Sequence, residues 1–392
     1  MIARRIEGPI RKDAAGFPVV ALLGPRQSGK TTLVKRLFPG MEYRNLEVPA
    51  TREYAQRDPV AFLASGPNGM IVDEFQRVPE LLSYIQNEVD ARDEPGRYIL
   101  TGSQNFLMME RISQSLAGRV GLFTLLPLSI GELDDTGIEL PSLDETLFRG
   151  FFPRLFGAPI DSRRFYDSYV QTYLERDVRT VRDIGDLSRF QRFIRICAGR
   201  VGQIVNLSSI SDDLGVSHNT VGAWLSVLEA SYVIRLIRPY HRNFGKQTVK
   251  SPRLYFTDTG LVCSLLEIDS PAALETHYLR GAVFENLVAT ELAKAQLNAG
   301  RRDVTCFWRD RRGHEVDFLI DRGSTRFALE AKAGQTITSD WFRGLVYYGD
   351  LDEGCPPDHR FVVHGGTERQ SRSAGSAVPW QEISGLARRF VG

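Results

Sequence analysis

Short apolar runs alternate with amphipathic stretches in the first part of the chain. Residues 17–23 (FPVVALL) form a continuous apolar run, as expected for a strand of a parallel sheet that is buried on both faces. Residues 31–38 and 79–89 instead repeat apolar positions every three or four residues, which predicts helices. The alternation of the two patterns predicts an α/β fold with a parallel sheet. The predicted strands are residues 17–23, 41–47, 69–74, 97–104 and 122–128.

The segment between the first strand and the first helix has the pattern of a phosphate-binding loop. Residues 24–31 read GPRQSGKT, which is Gly, any four residues, and then Gly-Lys-Ser/Thr. Glycines permit the backbone to turn successive N–H groups around a phosphate, and the start of the following helix favours an anion. We expect Lys30 to reach the β- and γ-phosphates of ATP and the Thr31 hydroxyl to contact Mg²⁺. The predicted nucleotide-binding residues are Gly24, Pro25, Arg26, Gln27, Ser28, Gly29, Lys30, Thr31 and Thr32.

Polar residues that follow two later strands are candidates for catalysis. Asp73 is expected to support the magnesium ion, and Glu74 to polarise the water that attacks the γ-phosphate. Ser103 and Gln104 would touch the γ-phosphate or that water. An equal alternative is that Ser103 is the N-cap of the following helix. Arg119 is a candidate for charge stabilisation in the transition state, either in its own subunit or in a neighbour; an ordinary surface arginine is the alternative.

Several strings of the sequence, taken together, resemble one family. They are GPRQSGKTTL (24–33), IVDEFQRVPELL (71–82), YILTGSQ (98–104), SLAGRVGLFTLLPLSIGEL (115–133), YLERDVR (173–179) and YFTDTGLVCSLL (255–266). Their combination is similar to a prokaryotic family of AAA-type ATPases in which the ATPase is joined to a C-terminal domain. The resemblance implies an additional-strand ATPase core, with Asp73 and Glu74 in the acidic strand and with Ser103 and Gln104 as the sensor. It implies no particular biological role.

The pattern changes after residue 190, where three helical stretches precede a strand. Residues 192–198, 207–214 and 218–228 are the predicted helices, with Gly215 in the turn before the last of them. A strand at 230–237 and a basic tip after it complete the pattern of a winged helix. DNA contacts are expected at the start of the last helix, from Ser217, His218, Asn219 and Thr220. The helix itself carries little positive charge, although basic residues follow it, namely Arg235, Arg238, Arg242, Lys246, Lys250 and Arg253. Winged helices also pack against other domains or proteins, so that alternative stays open.

A further α/β unit follows, with a helix at 278–292 and strands at 307–309, 313–320 and 326–333. Glu330 and Lys332 lie on one face of the last strand because they are two residues apart. Together with Asp317 on the preceding strand they have the arrangement of a PD-(D/E)xK nuclease. The resemblance therefore implies a restriction-endonuclease-like fold, in which Glu285, Asp317 and Glu330 hold Mg²⁺ and Lys332 orients the attacking water. The alternative is a binding module that has lost cleavage.

Composition restricts the function classes only slightly. The 392 residues are 42% hydrophobic and 25% charged with a net charge of +1, so any DNA-binding surface must be a local patch. The four cysteines lack metal-ligand spacing and are expected to be reduced thiols. No apolar run approaches the roughly 20 residues of a membrane span, so we expect a cytoplasmic protein with no membrane partner. The predicted domains are an ATPase (1–145), a helical lid or linker (146–188), a winged helix (189–268) and a nuclease-like domain (269–392).

The sequence leaves two candidate functions open. The first is a Mg²⁺-dependent ATPase that binds DNA and couples ATP hydrolysis to DNA remodelling, translocation or processing, with nuclease activity left open. The second is a nucleotide-gated switch that binds protein partners and has a catalytically silent nuclease-like domain. An arginine supplied by a neighbour would imply a homo-oligomer, for example a ring.

Overall fold

Five parallel strands form the sheet that carries the phosphate-binding loop, as predicted. They are β1 (Val19–Leu23), β2 (Glu42–Asn45), β3 (Met70–Asp73), β4 (Tyr98–Gly102) and β5 (Val120–Thr124). Their order in the sheet is β2-β3-β4-β1-β5. Strand β4 thus lies between β1, which leads into the loop, and β3, which ends at Asp73. This inserted strand is the additional strand expected of the ATPase core.

Both faces of this sheet are covered, which explains the continuous apolar run in β1. Val20 and Leu22 face a core with α1 (Glu7–Ala14) and α2 (Lys30–Leu37), whereas Val19, Ala21 and Leu23 face a core with α5 (Leu81–Arg92). All five residues of β1 are buried, because successive side chains point to opposite faces and both faces are packed. The helices of this unit are α1 (Glu7–Ala14), α2 (Lys30–Leu37), α3 (Pro49–Arg57), α4 (Pro59–Ala64) and α5 (Leu81–Arg92), with a 3-10 turn at Phe75–Arg77.

The computed structural model describes residues 2–92, 94–103, 112, 114–174, 187–240 and 250–391. The predicted residues Gln104, Arg242 and Lys246 lie outside these ranges, as does most of the string YLERDVR. Within them, no helix is both long and apolar enough to cross a membrane. All four cysteines are free thiols.

Helices dominate the middle of the chain. They are α6 (Ile130–Asp134), α7 (Leu143–Arg149), α8 (Arg154–Gly157), α9 (Ser162–Tyr169), a π-helical turn (Val170–Leu174), α10 (Leu187–Ala198), α11 (Leu207–Leu214), α12 (His218–Ala230), α13 (Thr259–Leu265) and α14 (Pro271–Glu275). Strands β6 (Ile234–Ile237) and β7 (Arg253–Phe256) form an antiparallel pair between α12 and α13. The strand predicted at 230–237 begins four residues late, because α12 continues to Ala230 and the chain turns at Tyr232, whose φ is 56°.

A mixed sheet of six strands forms the C-terminal unit. The strands are β8 (Thr305–Arg309), β9 (Glu315–Arg322), β10 (Thr325–Lys332), β11 (Arg360–His364), β12 (Gln370–Arg372) and β13 (Gly375–Pro379), and the helices are α15 (Arg280–Asn298), α16 (Arg343–Leu351) and α17 (Ile383–Arg389), with 3-10 turns at Ser339–Phe342, Pro357–His359 and Trp380–Glu382. Their order is β12-β13-β11-β10-β9-β8. Strand β10 is antiparallel to β9 and parallel to β11.

The middle segment and the C-terminal unit share one apolar core. Phe193 and Trp224 of the helical segment, Tyr255 of β7, and Phe284 and Phe318 of the C-terminal unit belong to the same continuous set of buried side chains. The β6–β7 pair is therefore packed into the C-terminal unit rather than projecting from the molecule. The division of the chain into four domains stays a prediction.

Candidate nucleotide-binding site

The loop between β1 and α2 needs glycine at its first position. Gly24 has φ of 147°, and a Cβ there would lie 2.2 Å from the carbonyl oxygen of Leu125. Gly29 precedes α2 with φ of 97°, in the left-handed region that glycine adopts without steric cost. The loop consequently leaves β1 at the carboxyl edge of the sheet and delivers Lys30 to the first turn of α2.

Lys30 is folded back onto its own loop. Its Nζ donates to the carbonyl oxygens of Gly24 at 2.9 Å and Pro25 at 2.8 Å, and the side chain is buried. Burial lowers the pKa of Lys30 to about 8, although the charges of Glu74 and Asp73 oppose this shift. A phosphate would offer this ammonium group a stronger acceptor than the two neutral carbonyls. The position therefore fits the role predicted for Lys30.

The Asp73 carboxylate, at the end of β3, accepts hydrogen bonds from three hydroxyl groups. Its Oδ2 accepts a hydrogen bond from Thr31 Oγ1 at 2.9 Å and from Tyr43 Oη at 2.6 Å, and Thr101 Oγ1 bonds the other oxygen. Carboxylate and hydroxyl oxygens are ligands that Mg²⁺ prefers, so Thr31 and Asp73 together fit the predicted metal site. Burial and the neighbouring Asp73 raise the pKa of Tyr43 well above its usual range.

Glu74 is held in an unusual backbone conformation beside Asp73. Its φ of 55° and ψ of 44° place a non-glycine residue in the left-handed region, a conformation that is uncommon for such residues and is enriched at functional sites. Its carboxylate contacts the side-chain amide of Gln76 and accepts from Ser103 Oγ at 3.3 Å. Burial raises the pKa of Glu74, against the opposing charge of Lys30. The structure therefore brings Glu74 and Ser103 together, and their predicted catalytic roles stay predictions.

Three side chains of this site were missed by the sequence analysis. Tyr43 lies within β2 and Thr101 lies next to the end of β4, the strands on either side of β3, and Gln76 donates to Ser103 Oγ at 3.2 Å as well as contacting Glu74. A polar residue near the carboxyl end of a neighbouring parallel strand would have been a usable signal for Thr101, whereas Tyr43 lies near the start of its strand. Gln76 lies in a short turn after Glu74 and gives no such signal.

Arg119 lies at the opposite edge of the sheet. It immediately precedes β5, which runs parallel to β1, so it lies at the amino end of the strands while the loop follows their carboxyl ends. Five residues of strand, roughly 17 Å, separate the two edges. Its Nη2 donates to Asp90 Oδ2 at 3.1 Å. The predicted role within its own subunit is therefore wrong; a role in a neighbour's site stays a prediction.

An apolar cavity of about 210 Å³ lies beside the loop. Leu33 of α2 and Leu128, Pro153 and Phe156 of the following segment form much of its wall, and Ser28, Gly29 and Thr32 border it from the loop. The predicted loop residues Ser28, Gly29 and Thr32 thus face this cavity.

A buried arginine connects the loop to the helical segment. Arg4 donates to the carbonyl oxygens of Ser28 at 2.8 Å and Leu126 at 2.7 Å, and its Nε pairs with Glu132 at 3.0 Å. Glu132 is fully buried and also accepts from the backbone N–H of Ser129 at 2.9 Å. The conformation of the loop at Ser28 is therefore tied to α6.

A second buried pair continues this connection into the C-terminal unit. Glu291 and Lys294, one turn apart on α15, form an ion pair at 3.0 Å with both side chains 1% exposed. Glu291 accepts from the N–H of Ile130 at 3.0 Å, and Lys294 donates to the carbonyl oxygen of Leu128 at 2.8 Å. Residues 126–130, which lead into α6, thus lie between Arg4 on one side and α15 on the other.

Comparison with known proteins identifies the family. The chain is 32% identical over 372 residues to the uncharacterized protein Rv2008c of Mycobacterium tuberculosis, covering 90% of this chain and 81% of the relative. This chain belongs to that protein's family. The uncharacterized protein Mb2031c of Mycobacterium bovis matches with the same identity and coverage.

Family matches divide the chain into three regions. Residues 16–134 match the family described as AAA domain, and together with the loop geometry this makes the unit a P-loop ATPase domain of the AAA type. Residues 140–272 and 280–383 match two domains of unknown function, DUF8612 and DUF4143. The family's own descriptions therefore assign no activity beyond the ATPase domain.

Solved structures overlap the chain only partially. The Walker-type ATPase of Pyrococcus abyssi is 15% identical and covers 66% of this chain and 94% of its own, with a TM-score of 0.44. RuvB of Thermotoga maritima is 19% identical over 60% of this chain and 90% of its own, with a TM-score of 0.31. These likenesses are too weak to decide function.

The four residues predicted for a nuclease-like site do lie together. Lys332 Nζ pairs with Glu330 Oε2 at 2.7 Å and lies 3.8 Å from Asp317 Oδ2, and Glu285 reaches the same cluster from α15. Burial raises the pKa of Glu285 to about 8 and raises the pKa of Glu330 well above its usual range, in both cases reinforced by Asp317. Among the described residues, however, no group of three or more His, Cys, Asp or Glu side chains is arranged to hold a metal ion.

Two of the basic residues expected at a DNA surface point into the protein. Arg235 donates to the carbonyl oxygen of Ala289 at 3.0 Å and pairs with Asp303, and Arg253 is only 4% exposed. These two residues therefore add no positive charge to an exposed surface, because the C-terminal unit covers the face of the strands on which they lie. Arg238 and Lys250 are exposed.

The start of α12 is open to solvent. Ser217 caps the helix by accepting from the N–H of Thr220 at 3.1 Å, as predicted. His218 and Asn219 are exposed, and Thr220 is half-buried. Gly215 turns the chain before the cap with φ of 65°.

Proposed function

We propose that this protein is a Mg²⁺-dependent ATP hydrolase with its active site at the carboxyl ends of β1, β3 and β4. The observation that carries the proposal is the convergence of Lys30, Thr31, Asp73 and Glu74 from separate elements, with Ser103 beside Glu74. Loop amides and Lys30 would bind the phosphates, and Thr31 and Asp73 would hold the metal. The bound ion would neutralise charge on the β- and γ-phosphates.

Glu74 is the proposed base of the reaction. A carboxylate whose pKa is raised toward neutrality is a better proton acceptor at physiological pH than an ordinary surface carboxylate. Gln76 and Ser103 would hold that carboxylate toward the attacking water, which is close to the sensor role predicted for Ser103 and Gln104. The apolar cavity beside Leu33 and Phe156 has the character and place expected of a pocket for the flat adenine base.

Steady-state hydrolysis tests these assignments. We expect Lys30→Ala to abolish ATP binding, and Glu74→Gln to lower turnover by about 10²–10⁴-fold while ATP still binds. Arg57→Ala is the matched control, since Arg57 is exposed on α3 and pairs with Glu53 one turn away. Full turnover in Glu74→Gln would remove Glu74 from the proposed base role.

We further infer that residues 187–256 form a winged helix and that the C-terminal unit is restriction-endonuclease-like. Supporting the first are three helices with a glycine turn, followed by the β6–β7 pair and a bridge between Ile204 and Arg253. Supporting the second are α15, the antiparallel strands β8, β9 and β10, and the parallel strand β11 after α16.

DNA is the proposed effector of the ATPase. The exposed start of α12, with Ser217, His218 and Asn219, has the position of a recognition helix. We therefore expect ATP hydrolysis to accelerate with duplex, single-stranded or branched DNA, and we expect DNA binding to weaken steeply as salt rises.

The second candidate is a nucleotide-gated switch that binds protein partners. The buried path from Ser28 through Arg4 and Glu132 to α15 favours it, because the state of the loop would reach the C-terminal unit without any DNA. Hydrolysis that no form of DNA changes, with Glu74→Gln inactive, would favour the switch over the DNA-dependent enzyme.

A further inference from the structure

The acidic cluster of the C-terminal unit already contains a cation, the side chain of Arg253. Its Nη1 lies 3.3 Å from Glu285 Oε1 and 3.2 Å from Asp317 Oδ1, and its Nη2 lies 2.7 Å from Glu315 Oε2. One guanidinium group thus contacts the helix carboxylate and two carboxylates of β9. Two of these, Glu285 and Asp317, are ligands that a nuclease-like site would need for its metal.

Other acceptor atoms of the cluster are also engaged by groups of the protein. Asp317 Oδ2 accepts from the N–H of Ala331 at 3.1 Å, so both oxygens of Asp317 are used. Glu330 Oε2 accepts from Lys332 at 2.7 Å, and Glu285 Oε1 also accepts from the Tyr255 hydroxyl. A magnesium ion requires oxygen ligands at about 2.0–2.1 Å in near-octahedral geometry, which these carboxylates do not offer while Arg253 lies between them.

Arg253 is fixed in this position by the strands that carry it. It is the first residue of β7, it bridges to Ile204, and its guanidinium carbon lies 4.9 Å from the centre of the Phe307 ring. The neighbouring strand is fastened to the same unit, since the N–H of Tyr240 donates to the carbonyl oxygen of Phe307 at 2.6 Å. The guanidinium is therefore part of the packed structure and not a surface side chain that has folded over an open site.

We propose that Arg253 occupies the cation position of the nuclease-like centre. The centre is then a metal-free ion cluster that fastens the β6–β7 pair onto the C-terminal unit, and it does not cut nucleic acid. This replaces the expectation that Glu285, Asp317 and Glu330 hold Mg²⁺, and it is independent of the proposed ATPase. Removal of the guanidinium, while the carboxylates are kept, would leave a site that a divalent cation can fill.

Cleavage by the full-length protein is the first test. End-labelled duplex and single-stranded DNA are incubated with the wild-type chain and Mg²⁺ or Mn²⁺, with and without ATP, alongside Asp317→Asn. We expect the same background with both proteins. Metal-dependent cleavage by the wild type that disappears in Asp317→Asn and in Lys332→Ala, but persists in Lys30→Ala, would overturn the proposal.

Thermal unfolding without nucleotide is the second test, performed in a Thr31→Ala background to remove the ATPase metal site. Adding Arg253→Gln should lower the melting temperature by several degrees, and Mg²⁺ or Ca²⁺ should recover part of this loss. The background chain with Arg253 intact should give the same melting temperature in EDTA and in Mg²⁺.

The matched control is Arg326→Gln in the same background. Arg326 is another buried arginine of this unit and donates to Asp352 at 2.7 Å, away from the cluster. This change should lower the melting temperature without any response to divalent cations. Two results would contradict the position assigned to Arg253. The first is a rise in melting temperature with divalent cations when Arg253 is intact, if Asp317→Asn removes that rise. The second is a folded Arg253→Gln chain whose melting temperature does not respond to divalent cations. If the Arg253→Gln chain does not fold, the cleavage assay on the wild type still tests whether the cluster cuts nucleic acid.

Discussion

At Glu74 the backbone adopts a left-handed conformation that a residue with a side chain takes only at a cost in free energy. That conformation lets Asp73 and Glu74, although adjacent, serve different neighbours. Asp73 accepts from Thr31 and Tyr43, whereas Glu74 faces Ser103 and Gln76. Metal binding and water activation can thus be assigned to separate carboxylates at one strand end.

Gln76 should matter for turnover more than for binding. Gln76→Ala removes the amide that holds both Glu74 and Ser103, so we expect turnover to fall by roughly tenfold to a hundredfold with an almost unchanged ATP dissociation constant. The measurements are steady-state kcat and equilibrium binding of ATP. Asn87→Ala, an exposed position on α5, is the control. A change in ATP affinity as large as the change in kcat would contradict this role.

At the scale of elements, α15 connects the ATPase domain with the cluster of the C-terminal unit. Glu285 on this helix belongs to the Arg253 cluster, while Glu291 and Lys294 bind backbone groups that follow the ATPase sheet. Lys294 also lies 4.2 Å from the centre of the Phe151 ring. One helix therefore contacts both the ATPase domain and the nuclease-like centre.

Breaking the buried pair on α15 should destabilise the protein strongly. Lys294→Met leaves Glu291 buried without its partner, and we expect a loss of about 3–5 kcal/mol in the free energy of unfolding. Arg195→Ala removes an arginine from the exposed pair with Glu267 and should cost under about 1 kcal/mol. Urea denaturation measures both. Equal losses in the free energy of unfolding of the two variants would show that the buried pair contributes no more to stability than the exposed pair.

Local chemistry made part of the ATPase site predictable. The loop, Thr31, Asp73 and Glu74 could be placed because glycine positions, a lysine and strand-end acids follow one another at short range. Arg4 and Glu132 could not, since 128 positions separate them along the chain. The burial of Arg235 and Arg253 could not be predicted for a related reason, because the strand pattern does not show that a later unit covers the face on which they lie.

At the scale of the whole molecule, the exposed start of α12 and the ATPase site lie on separate units. An effect on hydrolysis of DNA bound at α12 would therefore pass through packed elements. The buried contacts from Ser28 to Arg4 and from α6 to α15 connect the loop to the C-terminal unit.

Asn219→Asp should remove the response to DNA without unfolding the protein. An acid in the first turn of α12 is favoured by the helix dipole, so stability should hold, while a DNA phosphate would be repelled. We expect the basal ATPase rate to persist and the DNA-stimulated part to be lost. Ser226→Asp, exposed further along α12, is the control for added charge. Unchanged stimulation in Asn219→Asp would remove α12 from the proposed DNA surface.

Single-turnover hydrolysis tests the central claim most directly. Protein in excess over radiolabelled ATP and Mg²⁺ is quenched with acid, and the bound nucleotide is identified for the wild type, Glu74→Gln and Lys30→Ala. The site described here predicts ADP on the wild type, retained ATP on Glu74→Gln, and no nucleotide on Lys30→Ala. Conversion of ATP by Glu74→Gln at the wild-type rate would contradict the account.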